Sequence, residues 1–243
     1  MPRANRHFLP GQIWHITHRC HKKEFLLKFC RDRAYWIRWL FVARKRYGLC
    51  VLNYMVTSNH VHLLVKDTGK NEISRSMQLV AGRTAQAYNR RKSRKGAFWE
   101  DRYHATAVQS DAHFFRCLVY LDLNMVRAGI VQHPKHWPHC GYREIQCPPK
   151  RYRIINQSAL LEICQFESFA DLQFAHQNWI SKTLQQEEAK SRNPEWTESV
   201  AVGQRDYIES IQKSLGSRAS GRQVIRLKSG YQLKEVTALY GSK

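Results

Sequence analysis

The sequence predicts an α+β fold: a ferredoxin-like antiparallel sheet covered by helices, followed by a mainly helical C-terminal extension. Three observations lead there. The first half of the chain reads in the order strand, helix, strand, strand, helix, strand, which is the order of a split β-α-β sandwich. A stretch holding Pro134, Pro138, Pro148 and Pro149 then interrupts all periodicity, as a connector does. Finally, 243 residues with 43% hydrophobic and 12% aromatic side chains hold ample core material.

The elements follow in order. Ile13–Arg19 reads as a strand. Residues 29–47 read as a helix burying Trp36, Ile37, Leu40 and Phe41, stopped by Arg44, Lys45 and Arg46 in its last turn and by Gly48 beyond it. Cys50–Val56 and His60–Lys66 are short apolar-rich runs joined by Thr57, Ser58 and Asn59, which is hairpin spacing. Glu72–Arg91 repeats apolar or small residues at Ile73, Met77, Val80, Thr84 and Ala87, a helical period. Residues 98–108 look β-like, and residues 111–128 read as one helix capped by Ser110 or Asp111 and closed by Gly129. The resulting division is a main domain over 1–132, a Pro-rich connector over 133–151 and a mainly helical extension over 152–243, including a helix over 196–215.

Charge narrows the class of function. Forty Lys and Arg against 19 Asp and Glu give a net charge of +21, so the chain attracts polyanions. Residues 1–150 carry 27 basic and 9 acidic side chains, against 13 and 10 in residues 151–243, so most of that attraction resides in the first part. The core content argues against a disordered basic tail, and Arg, Lys or His interrupts every apolar stretch well short of the roughly 20 residues a membrane span needs. The first seven residues hold no apolar run, which points to the cytoplasm. Seven cysteines without a C-x-x-C pair fit free thiols in a reducing compartment.

Two constellations carry chemistry. In the run Asn59 to Val65 the strand period puts His60 and His62 side by side on one face, with Val61, Leu63 and Val65 on the other. Paired neutral imidazoles suit a divalent metal, although the same spacing also fits two strand-surface histidines. On the helix over 111–128 the apolar stripe Phe114, Leu118, Leu121 and Met125 leaves Arg116, Tyr120, Asn124 and Arg127 on another face, with Tyr120 and Asn124 one turn apart. A phenol attacks phosphorus when a metal and cations offset the phosphate charge, and an amide supplies an oxygen ligand; a structural Tyr beside Asn gives the same spacing. Arg83, Arg90, Arg91, Lys92, Arg94 and Lys95 suit a phosphate backbone, while Phe98, Trp99 and Tyr103 suit either base stacking or core. His133, His136, His139, Cys140 and Cys147 cluster without a standard zinc-ligand pairing.

These residues together resemble a family. The His60-Val61-His62 pair in its Asn-His-x-His-Leu-Leu setting, then Phe98 to Tyr103, then the run from Tyr120 to Gly129, resemble in order the single-tyrosine HUH transposases, in particular the REP-associated tyrosine transposases. The resemblance runs from about Gly11 to Tyr142, and the segment Trp196 to Gly203 is similar to one near the C-terminus of some relatives. It implies an HUH-nuclease fold and a metal-dependent single-strand DNA endonuclease and strand transferase acting on hairpin-forming repeats. Tyr120 is then the nucleophile forming a 5′-phosphotyrosine, and His60, His62 and Asn124 hold Mg²⁺ or Mn²⁺. Met125, Ser58 and the Arg19-Cys20-His21 run depart from the family's usual residues, the last leaving DNA contacts at the first loop open. The partner is single-stranded or hairpin DNA, with no membrane, and the protein is a monomer or homodimer. Residues 1–150 are expected to hold the complete active site. The competing readings are a non-catalytic single-stranded DNA or RNA binding module and an HUH replication initiator or relaxase.

Overall fold

The computed structural model describes residues 8–186 and 191–235, so the first seven residues and the last eight of the expected extension lie outside the described residues. Ile13–Arg19 (β1), Cys50–Val56 (β2), His60–Lys66 (β3) and His104–Val108 (β4) form an antiparallel sheet in the order β2-β3-β1-β4. Cys30–Tyr47 (α1) and Glu72–Arg91 (α2) pack against each other. With the strands they complete the expected ferredoxin-like unit. Trp36 and Leu40 are buried as predicted, whereas Ile37 and Phe41 are half-buried.

Two local expectations change. The β-like tract over 98–108 is a strand only from His104 onward. Before it, Phe98 is buried and Trp99 stacks on His18 with ring centroids 4.0 Å apart, while its indole N–H donates to the Ala81 carbonyl of α2 at 3.0 Å. These side-chain anchors hold the segment off the sheet, except for a single bridge between Trp99 and Cys20. The helix over 111–128 divides at Leu123 into Ala112–Asp122 (α3), capped by the Asp111 side chain, and Asn124–Arg127 (α4). Asp122 and Leu123 are fully buried at the division, so the chain is anchored where it turns.

The C-terminal part is helical through Gly141–Gln146 (α5), Gln157–Cys164 (α6), Phe169–Leu184 (α7), Glu195–Glu198 (α8) and Arg205–Leu215 (α9). It also enlarges the sheet. Ala201–Gly203 (β5), Arg222–Leu227 (β6) and Gly230–Glu235 (β7) extend it to seven strands in the order β2-β3-β1-β4-β5-β7-β6, with β5 parallel to β4. A lone β4 would leave a row of unpaired amides at the sheet edge. Here the Ala107 and Gln109 amides donate to the Val200 and Val202 carbonyls at 2.8 and 3.1 Å. This pairing interrupts the single helix expected over 196–215, because the open edge of β4 offers the segment a ladder to join, with Val200 and Val202 as its β-branched residues.

The Pro-rich connector is likewise packed. The Val56 amide donates to the His139 carbonyl at 2.9 Å and the Trp137 indole to the Val56 carbonyl at 3.0 Å, so the connector covers the outer edge of β2. All seven cysteines are free; five are buried, whereas Cys30 and Cys147 are exposed.

One buried polar network ties the two parts together. A register shift in β2 turns Asn53 inward, where its amide donates to Asp122 Oδ1 at 3.0 Å. Asp122 Oδ2 lies 2.7 Å from His176 Nε2 of α7, and the Gln146 amide donates to His176 Nδ1 at 3.0 Å, so the ring directs its proton to the carboxylate. Gly141 closes the network from the connector side, since a Cβ there would run into Asn53 Oδ1 and the Tyr54 amide. Removing one partner of such a buried pair strands the other. Asp122→Ala should therefore cost about 3–5 kcal/mol in denaturant unfolding, and Gly141→Ala should also destabilise; an unchanged midpoint for Asp122→Ala would show that the network is not a stabilising link.

Candidate active site

Strand alternation builds a polar face in the middle of the sheet. On β1, His15, Thr17 and Arg19 share one side; register places Thr17 opposite His62 and Arg19 opposite His60 on β3. On the other flank Thr106 and His104 of β4 stand opposite His15 and Thr17. The reverse side carries His18 stacked on Trp99, itself bonded to α2, so α2 lies behind the sheet. In front, α3 brings the Tyr120 ring to 6.2 Å from the His62 ring and 6.3 Å from the His15 ring.

Hydrogen bonding sets the tautomer of each ring. His15 Nδ1 lies 2.8 Å from the Trp196 carbonyl, which only accepts, so Nδ1 carries the proton. Burial, reinforced by nearby positive groups, pushes the His15 pKa down to about 3 and leaves the ring neutral, with a bare Nε2. That atom is 2.9 Å from His62 Nδ1, which therefore donates to it, with Thr17 Oγ1 a further 3.3 Å contact of the same nitrogen. His62 Nε2 is left as a lone pair, to which the Asn124 amide donates at 3.0 Å. His60 is set independently: its Nδ1 donates to Asn59 Oδ1 at 2.7 Å, while the Asn59 amide N–H donates to the Lys23 carbonyl. Burial holds His60 at about 4 and His62 well below its usual range, Arg19 and Arg127 adding to the effect. Both rings are thus neutral.

These groups meet in a cavity of about 370 Å³ lined by Thr17, Arg19, Lys23, His60, His62, Tyr120, Asn124, Arg127, Arg192 and Thr197. Two bare imidazole nitrogens beside an amide side chain make a donor set that fits a divalent cation taking its other ligands from water or phosphate oxygens. The His15 and Asn59 bonds are the outer partners such a set requires. Arg127 covers the nucleophile candidate: its guanidinium carbon is 4.0 Å from the Tyr120 ring centroid and it donates to the Tyr120 carbonyl at 2.6 Å. Burial raises the phenol pKa, and Arg127 and Arg192 counter that rise.

The structure brings together Tyr120, His60, His62, Asn124 and Arg127. It does not bring the other predicted cations to them, for none of Arg83, Arg90, Arg91, Lys92, Arg94 and Lys95 lines the cavity. Arg91 pairs at 2.5 Å with the buried Asp32 of α1, and Arg94 donates to the Ala97 carbonyl at 2.8 Å. Arg83 sits over Trp39 at 5.1 Å, and Lys92 is exposed with its ammonium 5.6 Å from the Phe29 ring centroid. Arg90 and Lys95 are also exposed. In the connector the Cys140 thiol donates to the Trp137 carbonyl at 3.0 Å, and His133 Nδ1 accepts from the Lys135 amide at the same distance, both local turn contacts.

Residues beyond 150 also contribute to the cavity. Arg192 and Thr197 line the cavity, and the Trp196 carbonyl fixes His15, because β5 docks on β4 and carries the preceding segment over the polar face. His15 was missed in the sequence reading, although the alternation that paired His60 with His62 also aligns His15, Thr17 and Arg19. Arg192 had no local signal, since only the sheet extension brings it near.

Comparison with known proteins agrees with this architecture. Residues 13–121 match the family of IS200-like transposases. Among solved structures, a REP-associated tyrosine transposase bound to a REP hairpin superposes with a TM-score of 0.52 at 16% identity, covering 65% of this chain and 96% of that one. A putative transposase from Deinococcus radiodurans R1 gives a TM-score of 0.35 at 14% identity over 53% of this chain and 97% of that one. No curated protein matches. The matched segment holds β1 to β4 and α3 through Leu121, and thus His60, His62 and Tyr120, so over this segment the chain is similar to the IS200-like transposases.

Proposed function

We propose that this transposase is a metal-dependent single-strand DNA endonuclease and strand transferase that acts on hairpin-forming repeat DNA through a 5′-phosphotyrosine at Tyr120. The observation that carries the reading is the convergence of Tyr120, two bare imidazole nitrogens and the Asn124 amide on one cavity rimmed by Arg19, Lys23, Arg127 and Arg192. A non-catalytic binding module has no need of that convergence. The REP-associated neighbour, solved on a REP hairpin, supports hairpin DNA as the substrate and the REP-associated group as the place of this chain within its family.

The reaction follows from the groups at hand. Tyr120 Oη attacks the scissile phosphorus, an Oη–P bond forms and the P–O3′ bond breaks. The phenol gives up its proton, and the departing 3′ oxygen leaves as a hydroxyl once it takes one up. The phosphodiester energy is retained in the new ester, so a 3′-hydroxyl attacking the same phosphorus reverses the step and joins strands. His60, His62 and Asn124 are the residues that would hold Mg²⁺ or Mn²⁺, which would supply Lewis-acid polarisation of the phosphate. Arg127 and Arg192 stabilise the phenolate that forms during attack and the charge gathering on the phosphate. Arg90, Lys92 and Lys95 are the exposed members of the basic run left to follow the DNA backbone, with Arg83 beside them on α2.

Tyr120→Phe keeps the ring under Arg127 and removes the oxygen, so cleavage and the covalent protein–DNA adduct should disappear while hairpin binding persists; an adduct in that variant would move the nucleophile elsewhere, Tyr103 being the first to test. Chelation with EDTA, or His60→Ala combined with His62→Ala, should stop cleavage without unfolding the chain, and normal cutting by the double variant in Mg²⁺ would exclude the histidine pair as ligands. His15→Phe should weaken Mn²⁺ binding to the DNA-free protein about 10- to 100-fold, the range for loss of a partner behind a metal ligand. Unchanged Mn²⁺ affinity in a folded His15→Phe protein would mean that His62 is oriented without it.

A further inference from the structure

A second cavity, of about 400 Å³, also has Tyr120 in its wall. Half-buried Phe115 and Trp179, with ring centroids 4.7 Å apart, join Tyr120 in its walls, and the fully buried Trp196 ring backs Tyr120 at 6.2 Å between centroids. Its edges are cationic, through Arg127 and Lys182. Tyr120 and Arg127 line both cavities, so the two adjoin at these residues. Trp179 and Lys182 belong to α7 and Trp196 to α8, all outside the segment 13–121 that matches the IS200-like transposases.

We infer that this second cavity is a nucleobase pocket, which takes the unpaired base of a nucleotide adjoining the scissile phosphate. The inference rests on the endonuclease reading of Tyr120. A strand whose phosphate sits at the phenol must continue to either side of it, and on one side it meets flat aromatic surfaces in a space within the roughly 300–1,000 Å³ range of small-ligand sites. Aromatic faces accept any base by stacking, and the cations at the edge offset the phosphate that comes with it. Thr183 and Asn193, which also line the space, offer hydrogen bonds that would grade one base against another. The extension thereby acquires a part in choosing where the strand is cut, in addition to fixing His15.

The test uses the full chain and labelled hairpin oligonucleotides with single-stranded flanks, in which each flanking nucleotide in turn is made abasic. Affinity is read by fluorescence anisotropy at fixed salt, and adduct formation in Mn²⁺ is followed in parallel. Loss of the base next to the cut should weaken binding roughly 5- to 150-fold, the range for one base stacked on aromatic side chains. Thr183→Phe fills the cavity and should abolish that difference, so that the intact and abasic strands bind alike; Thr183→Leu serves the same end if the larger residue prevents folding. Adduct formation with no sensitivity to any abasic position would overturn the pocket while leaving the endonuclease intact. An abasic penalty that persists unchanged in a folded, filled variant would seat the base elsewhere and overturn it too. No adduct with any hairpin oligonucleotide would refute the endonuclease itself, and the pocket with it.

Discussion

A buried imidazole has two nitrogens to satisfy, and the site depends on how His15 and His62 satisfy theirs. The Trp196 carbonyl takes the first proton, His15 passes the requirement to His62, and the only lone pair left over points toward Asn124 and the cavity. Were either ring placed where water reached it, the tautomer would be free to exchange and the donor set would lose its definition. Burial supplies the other half of the constraint by keeping the rings neutral. The arrangement is a case of outer hydrogen bonds fixing what an inner ligand can offer.

This constraint explains why the C-terminal part is built into the sheet. A helical appendage tethered by a loose linker would not hold a backbone carbonyl within 2.8 Å of a buried ring. The parallel pairing of β4 with β5, the Arg116–Glu195 ion pair at 2.9 Å and the bonds from Thr106 Oγ1 to the Trp196 and Ser199 carbonyls all fix residues 195–203 over the polar face. The Asp122–His176 contact does the same for α7, starting two residues after the nucleophile candidate. Both attachments thus hold the extension close to the site.

Much of this was legible in the sequence because it depends on local periodicity. The boundaries of β1, β2, β3 and α2 follow from alternation, hairpin spacing and helical period, and the same alternation placed His60 beside His62. Helical spacing put Tyr120 and Asn124 one turn apart on one face, even though the helix divides between them, and their roles came from the family resemblance. What escaped were features set by distant partners. Trp99 reads as strand until its indole is seen bonded to α2, and Arg91 reads as a DNA contact until Asp32 is seen buried beneath it. Residues 199–203 carry too short a strand signal to outweigh the helical pattern around them, and only the open edge of β4 decides the matter. Arg192 and the Trp196 carbonyl lie more than 60 residues beyond the nucleophile candidate, and a backbone carbonyl leaves no mark in composition at all.

A hydrogen-bond chain begun in the extension leaves His62 with an unprotonated nitrogen facing the cavity. Imidazole ¹⁵N chemical shifts of the metal-free protein near neutral pH test it directly. The account predicts that His15 and His62 are both neutral and protonated at Nδ1, with Nε2 of His62 unprotonated. A spectrum with the His62 proton on Nε2 would contradict it, because that ring would then present a hydrogen to the cavity and could not act as the ligand on which the site is built.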